Sequence, residues 1–401
     1  HKIQSREPFS IPRVPVIAIL IAFGLSSLQL LNPQYTFSGG IQTIVPVEGA
    51  NTFLPGVFNR TVSIQWLLHT LALAAAFVTA VELMQSRKNR WRLLTIVAVA
   101  GLLVASIGVF QKVSNAQALL WTSKVLPDYQ QTFFAAFRYH ANAAAFLNLC
   151  WPVSIALLIR GEFDSRWTSL TRTVWINASV LTFAALFANT SKFGHLLAII
   201  GIVLVVLLIR KNLPYGWRWN NPVFLVILPI IIGVIGIAAY STLARSAGNW
   251  SWELSHGGSL RGRLLAYEAC LTMIKENLFF GIGPGSFELA FPFYTGHLGE
   301  QIRGIWSHAH QDYLQVVIEW GLFGATCWFV VAFGGLRRGF QARRWQSLSA
   351  NASIAALILV GIHSLVDFPL QIPAIQFYAV LHLACLWSVK QMPAKKKESG
   401  K

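Results

Sequence analysis

Residues 87–110 read RKNRWRLLTIVAVAGLLVASIGVF. Four cations open the stretch, and the 18 residues that follow carry no charge. A run of that length can cross a bilayer as a helix. It lacks the period-two alternation of an outer-membrane barrel strand. A basic cluster just ahead of such a run marks the cytoplasmic end of a span.

Working outward from this stretch, ten apolar segments can be drawn. They are Val14–Leu31, Ile64–Met84, Leu93–Phe110, Ala143–Ile159, Val174–Ala188, Phe193–Ile209, Val223–Tyr240, Tyr313–Phe333, Leu348–Ile362 and Ile375–Val389. The composition agrees: 55% of residues are hydrophobic and only 12% charged, with mean hydropathy +0.54. A soluble domain carries about 25% charged residues. An ordinary cytosolic protein, a disordered chain, a collagen and a disulfide scaffold are all excluded. Cys150, Cys327 and Cys385 fall in apolar runs and Cys270 stands alone in a loop, so no pair has metal or disulfide spacing. The expected fold is an all-α polytopic membrane protein of about ten transmembrane helices, forming a single membrane domain over residues 1–401.

Charge sets the orientation. With the N-terminus inside and the spans alternating, 22 basic and five acidic residues fall on the cytoplasmic side, and ten of each fall outside. The whole net charge of +17 then lies on one face, which is the positive-inside pattern. Both termini are expected in the cytoplasm, and a nucleic-acid partner is not needed to explain the surplus.

The outer face holds the irregular sequence, in loops of about 32–63, 111–142 and 241–312. The last is the longest. Within it Leu264, Tyr267, Leu271, Ile274 and Leu278 recur at helical spacing, which predicts an amphipathic helix on the membrane surface or against the bundle. Gly281-Ile282-Gly283-Pro284-Gly285-Ser286-Phe287 then breaks it with turn chemistry. With no strand before it and no GK[ST] after it, this is not a nucleotide-binding loop.

The densest polar cluster is Trp306-Ser307-His308-Ala309-His310-Gln311-Asp312, where the long loop meets the eighth segment. An imidazole at the edge of low dielectric can stay neutral near pH 7 and accept a hydroxyl proton. The alternative is an interfacial histidine that only bonds backbone. His308 and His310 are two apart, face away from each other on a helix, and lack further ligands, so a metal site is not expected. Arg261 and Arg263 open the loop helix, and Lys192 sits in a tight turn between two apolar runs. A cation there is costly unless it meets an anion. Pairing with Glu253, Glu268 or lipid headgroups is the plainer reading. Arg138 and His140 near Asn142 are further candidates, while His69, His195, His363 and His382 read as structural.

These residues resemble a family. His310-Gln311, nine residues, then Gly321-Leu322-Phe323-Gly324 is similar to the H[NSQ]-x9-G-x-x-G signature of O-antigen ligases. Lys192-Phe193-Gly194-His195-Leu196 resembles their R-x3-L motif, with Lys in place of Arg. Arg263-Leu264-Leu265-Ala266-Tyr267 resembles R-x3-W/Y, and the glycine-rich turn at 281–287 resembles G-x-G-P-G-x-F. His363-Ser364-Leu365-Val366-Asp367-Phe368 is also typical of the penultimate helix. The four motifs stand in the family's order, within Val174 to Trp387.

The resemblance implies a bundle of the GT-C type in the bacterial inner membrane, acting without metal or other cofactor and with inversion. His310 would be the base, Arg263 and Lys192 would bind the diphosphate of an undecaprenyl-diphosphate-linked glycan, and Arg261 competes for that role. His308, Gln311 and Arg138 would give support. The acceptor would be a lipid A-core sugar, presented on the periplasmic face to the 241–312 loop. Polymerisation of the glycan, or transfer to a protein hydroxyl, would use the same donor chemistry. A reading from another class is a transporter of inorganic-carbon type, which should show ionisable groups near the membrane midplane.

Overall fold

The computed structural model describes residues 12–40, 43–124, 133–162, 167–209, 258–302, 305–342 and 347–390. The expected segment Val223–Tyr240 lies outside them. Nine helices match the other nine segments: α1 (Arg13–Gln29), α2 (Arg60–Met84), α3 (Arg87–Val113), α4 (His140–Glu162), α5 (Ser169–Ala188), α6 (Lys192–Ile209), α9 (Asp312–Phe340), α10 (Ser347–His363) and α11 (Pro373–Ser388). Between α6 and α9 lie α7 (Gly258–Glu276) and α8 (Phe287–Thr295). Six of these, α2 to α6 and α9, are long and apolar enough to cross a membrane. The count of about ten is therefore corrected for the described residues: α1, α10 and α11 are apolar but shorter.

α4 is the bundle's centre. Its apolar stretch is 89% buried, against 33% for α2, α3, α6 and α9. Small residues make this possible: Ala143, Ala144, Ala145 and Ala156 are buried with Cys150 and Leu149. Close approach is visible at Gly101, where a Cβ would come within 2.4 Å of the Cys150 Cβ. In lipid, where large apolar side chains gain nothing by leaving the surface, helices pack through small residues. Large ones accordingly face outward, as Leu103, Val203 and Leu207 do.

The ends of the bundle differ. At one end Arg90 is buried and donates to the Met84 carbonyl (3.1 Å), Arg160 lies over Trp91 (4.8 Å), and Arg338 lies over Trp387 (5.4 Å). The other end carries a cap with its own small core. There Phe58, Ala266, Cys270, Met273, Ile282, Phe287, Phe291 and Ile318 are buried together.

Part of the cap was expected to be irregular and is sheet. Strands β1 (Pro33–Ser38), β2 (Thr43–Pro46) and β3 (Val57–Asn59) form a sheet in the order β2-β1-β3, with Tyr35 opposite Pro46 on the antiparallel side and Asn59 on the parallel side. Asn59 then caps α2, accepting from the Val62 N–H (3.1 Å). In the second loop, Ala118–Leu119 pairs with Ser123–Lys124. Helix α7 is present as expected, and the face it buries in the cap is built mostly of small residues. Ala266, Ala269, Cys270 and Met273 are buried, while Leu264 and Leu271 are at least half exposed. Cys270, read as a loop residue, is inside this helix.

Candidate functional site

Three chain reversals meet at the cap end: the loop before α9, the α10–α11 connection, and the approach to α4. His310 lies at their junction. Its Nδ1 is 3.4 Å from Asp367 Oδ1, and it faces the carboxylate without an aligned hydrogen bond. The imidazole packs edge-on against Trp306 (5.2 Å between ring centres) and Phe368 (4.8 Å). Its backbone is left-handed, φ +52°, and Tyr267 Oη donates to its carbonyl (3.1 Å). Trp306 in turn packs on Phe291 of the cap core.

Asp367 is 5% exposed. Burial alone would raise its pKa, but His310, His363 and the Phe368 N–H outweigh this and hold the carboxyl below its ordinary value. It therefore stays ionised beside His310. Tyr139 stacks on Phe368 (5.8 Å, 7° between planes). Burial raises its hydroxyl pKa, the Asp367 charge adds to this, and Arg263 opposes it. Arg263 reaches the same place from α7, its Nη1 donating to the Val366 carbonyl (3.4 Å), one residue from Asp367.

The expected site residues separate. His310 and Arg263 converge on Asp367 and Tyr139. Lys192 is exposed at the first residue of α6, and its neighbour Phe193 packs edge-on against His363 (5.4 Å), which adjoins Asp367. Arg138 is exposed in the bend beside Tyr139. Gln311 is committed to structure: its side chain caps α9 by accepting from the Leu314 N–H. Arg261 lies in the first turn of α7 and its side chain is outside the described residues. Among the structural histidines, His69, His195 and His382 each bond a neighbour.

Sequence reading missed Asp367 and Tyr139 as site residues, and also a buried polar stripe on α9. Asp312, Gln315 and Glu319 stand at i, i+3 and i+7 on one face, all under 5% exposed. Asp312 accepts from the Leu370 N–H (2.9 Å) and the Gln371 amide (3.2 Å). Glu319 accepts from the Gly285 and Phe287 N–H groups (2.9 and 3.4 Å) and the Gln315 amide (3.0 Å). Two carboxylates at helical spacing inside an apolar span were the available signal, because such groups are rarely idle in a membrane helix.

The two glycine motifs interlock. Gly321 breaks α9 with φ +63°. The freed segment takes the Leu278 and Phe279 carbonyls on the Leu322 and Phe323 N–H groups (2.8 and 3.2 Å). Ile282 and Gly283 N–H groups reach back to the Ile318 and Glu319 carbonyls (2.9 and 3.0 Å). The glycine-rich turn is thus a structural partner of the G-x-x-G break.

Residues 178–329 match the family model for O-antigen ligase. Over that stretch, 152 of the 401 residues, the chain is similar to the O-antigen ligases. No curated protein matches the chain. The matched region holds Lys192, Arg263, the glycine-rich turn, His310 and Gly321. Asp367 and Tyr139, which complete the site, lie beyond it. Six helices among the described residues are long and apolar enough to cross a membrane, which fits a multi-pass membrane protein similar, over the matched region, to O-antigen ligases.

Proposed function

We propose that the protein transfers an undecaprenyl-diphosphate-linked glycan onto an acceptor hydroxyl, a lipid A-core sugar, at the periplasmic face of the bacterial inner membrane. The observation that carries this reading is His310 set against the ionised, buried Asp367, with Arg263 anchored one residue away. His310 Nε2 takes the acceptor's proton while Asp367 stabilises the imidazolium at Nδ1. The acceptor oxygen bonds to the anomeric carbon as the bond to the diphosphate oxygen breaks, which inverts that carbon. The lipid diphosphate is already a good leaving group, so the protein's task is to position the acceptor and neutralise growing charge. Arg263 offers a planar fork to phosphate oxygens, and Lys192 a point charge. Both termini and the basic end of the bundle then face the cytoplasm.

The same machinery serves polymerisation, with a growing glycan as acceptor. The transport reading would need ionisable groups free near the midplane. Glu319, within the α9 span, is instead fully engaged by three donors. Donor binding tests the cation assignments. Arg263→Ala should raise the KM for a lipid-diphosphate glycan at least tenfold. Lys192→Arg should match the wild type where Lys192→Ala weakens binding. Indifference of KM to all three changes would remove both residues from the diphosphate site.

A further inference from the structure

His308 is held more completely than a spectator histidine needs to be. Its ring packs on Phe368 with 4.6 Å between ring centres and a 34° tilt, and the same Phe368 ring also bears His310. Gln315 has no freedom left. Its Oε1 accepts from the Ala309 N–H (3.1 Å), and its Nε2 reaches both Glu319 Oε1 (3.0 Å) and His308 Nδ1 (3.4 Å). Since Oε1 is taken by a backbone donor, Nε2 must be the amide nitrogen, and it meets an accepting Nδ1 on His308. Glu319 fixes that amide from the far side, while receiving the Gly285 and Phe287 N–H groups of the glycine-rich turn. With the Gln315 amide facing it, the Nδ1 lone pair of His308 serves as an acceptor, which favours the tautomer protonated at Nε2. What remains is the N–H on Nε2.

We propose that His308 serves the transfer as a neutral hydrogen-bond donor through Nε2, directed at a diphosphate oxygen of the substrate, with Gln315 and Glu319 as positioning residues that fix its tautomer. This rests on the ligase reading above and assigns a second imidazole to that site. Burial and the neighbouring His310 also push the His308 pKa down to about 4, so the ring is uncharged at neutral pH and does not compete with His310 for a proton. A fixed neutral donor aimed at developing charge loses nothing to reorganisation during the reaction.

Two measurements test it. In protein labelled with 15N-histidine, the resonances lost in His308→Gln identify the ring. Nδ1 should be unprotonated and Nε2 protonated at pH 7, and Gln315→Leu should mix the two tautomers. In a purified transfer assay His308→Gln, which keeps an N–H donor, should stay within about threefold of wild-type kcat. His308→Ala should lose about 100-fold, the usual cost of one such donor. A wild-type ring protonated at Nδ1, or an alanine variant with full kcat, overturns the proposal. If the wild type transfers no glycan at all, the ligase reading fails with it, and the tautomer measurement still decides the positioning role.

Discussion

A left-handed backbone at His310 costs about 1–2 kcal/mol for a residue with a Cβ, and His is among the types that tolerate it best. The cost is met locally by the Tyr267 bond to its carbonyl and by Asp312, which anchors the next turn to the α10–α11 connection. Such strain is usually retained where it aims a side chain, and here it aims an imidazole at Asp367. The titrating groups of the site make a stability prediction. The folded His308 pKa is about 4, against about 6.5 for a free histidine. Between those values the unfolded chain binds the proton first, so stability falls on acidification from pH 6.5 to 4. Asp367 is depressed instead, so its contribution is complete above about pH 4 and lost only below it. Thermal unfolding in detergent should show Tm dropping through the upper window, and His308→Gln should flatten that part of the slope. An unchanged slope in the variant would contradict the neutral, buried assignment.

Among the elements, the pairing of two glycine motifs is the most demanding. A Cβ on Gly321 would sit 2.4 Å from the Phe279 carbonyl oxygen, at φ +63°. Gly321→Ala should therefore cost about 2–4 kcal/mol through clash and backbone strain together. The check is Tm alongside Gly24→Ala in α1, where nothing lies within 4 Å and no loss is expected. Equal effects of the two changes would show that the break in α9 is not held as described. The same scale shows what the sequence could tell. Long uncharged runs such as Leu93–Phe110 located nine of the helices, because a bilayer demands little beyond length and apolarity. In α7 the large Leu264 and Leu271 stand out in sequence yet are at least half exposed, while the residues buried in the cap core are the smaller Ala266, Ala269 and Cys270. The strands at 33–59 are hard to read in sequence because they are only six, four and three residues long, and β3 pairs with β1 from more than 20 residues away. Asp367 and Tyr139 stood within view as residue types, yet nothing local ties either to His310. Only the folding of three distant connections does that.

At the scale of the whole molecule, charge and site separate to opposite ends. Arg90, Arg160 and Arg338 stack or bury at one end. The histidines, Asp367 and Arg263 gather at the other, beneath the strand and helix cap. Under the proposed positive-inside orientation the chemistry would lie on the outer face, where the proposed lipid-linked donor and surface acceptor could both arrive. The most direct measurement uses purified protein in liposomes, with a defined undecaprenyl-diphosphate oligosaccharide and a lipid A-core acceptor. Product is scored by gel for the wild type and for His310→Ala. The wild type should form product, and the variant should bind donor normally yet fall by at least 100-fold in kcat, as loss of a general base entails. Wild-type turnover in the His310→Ala protein would contradict the account at its centre.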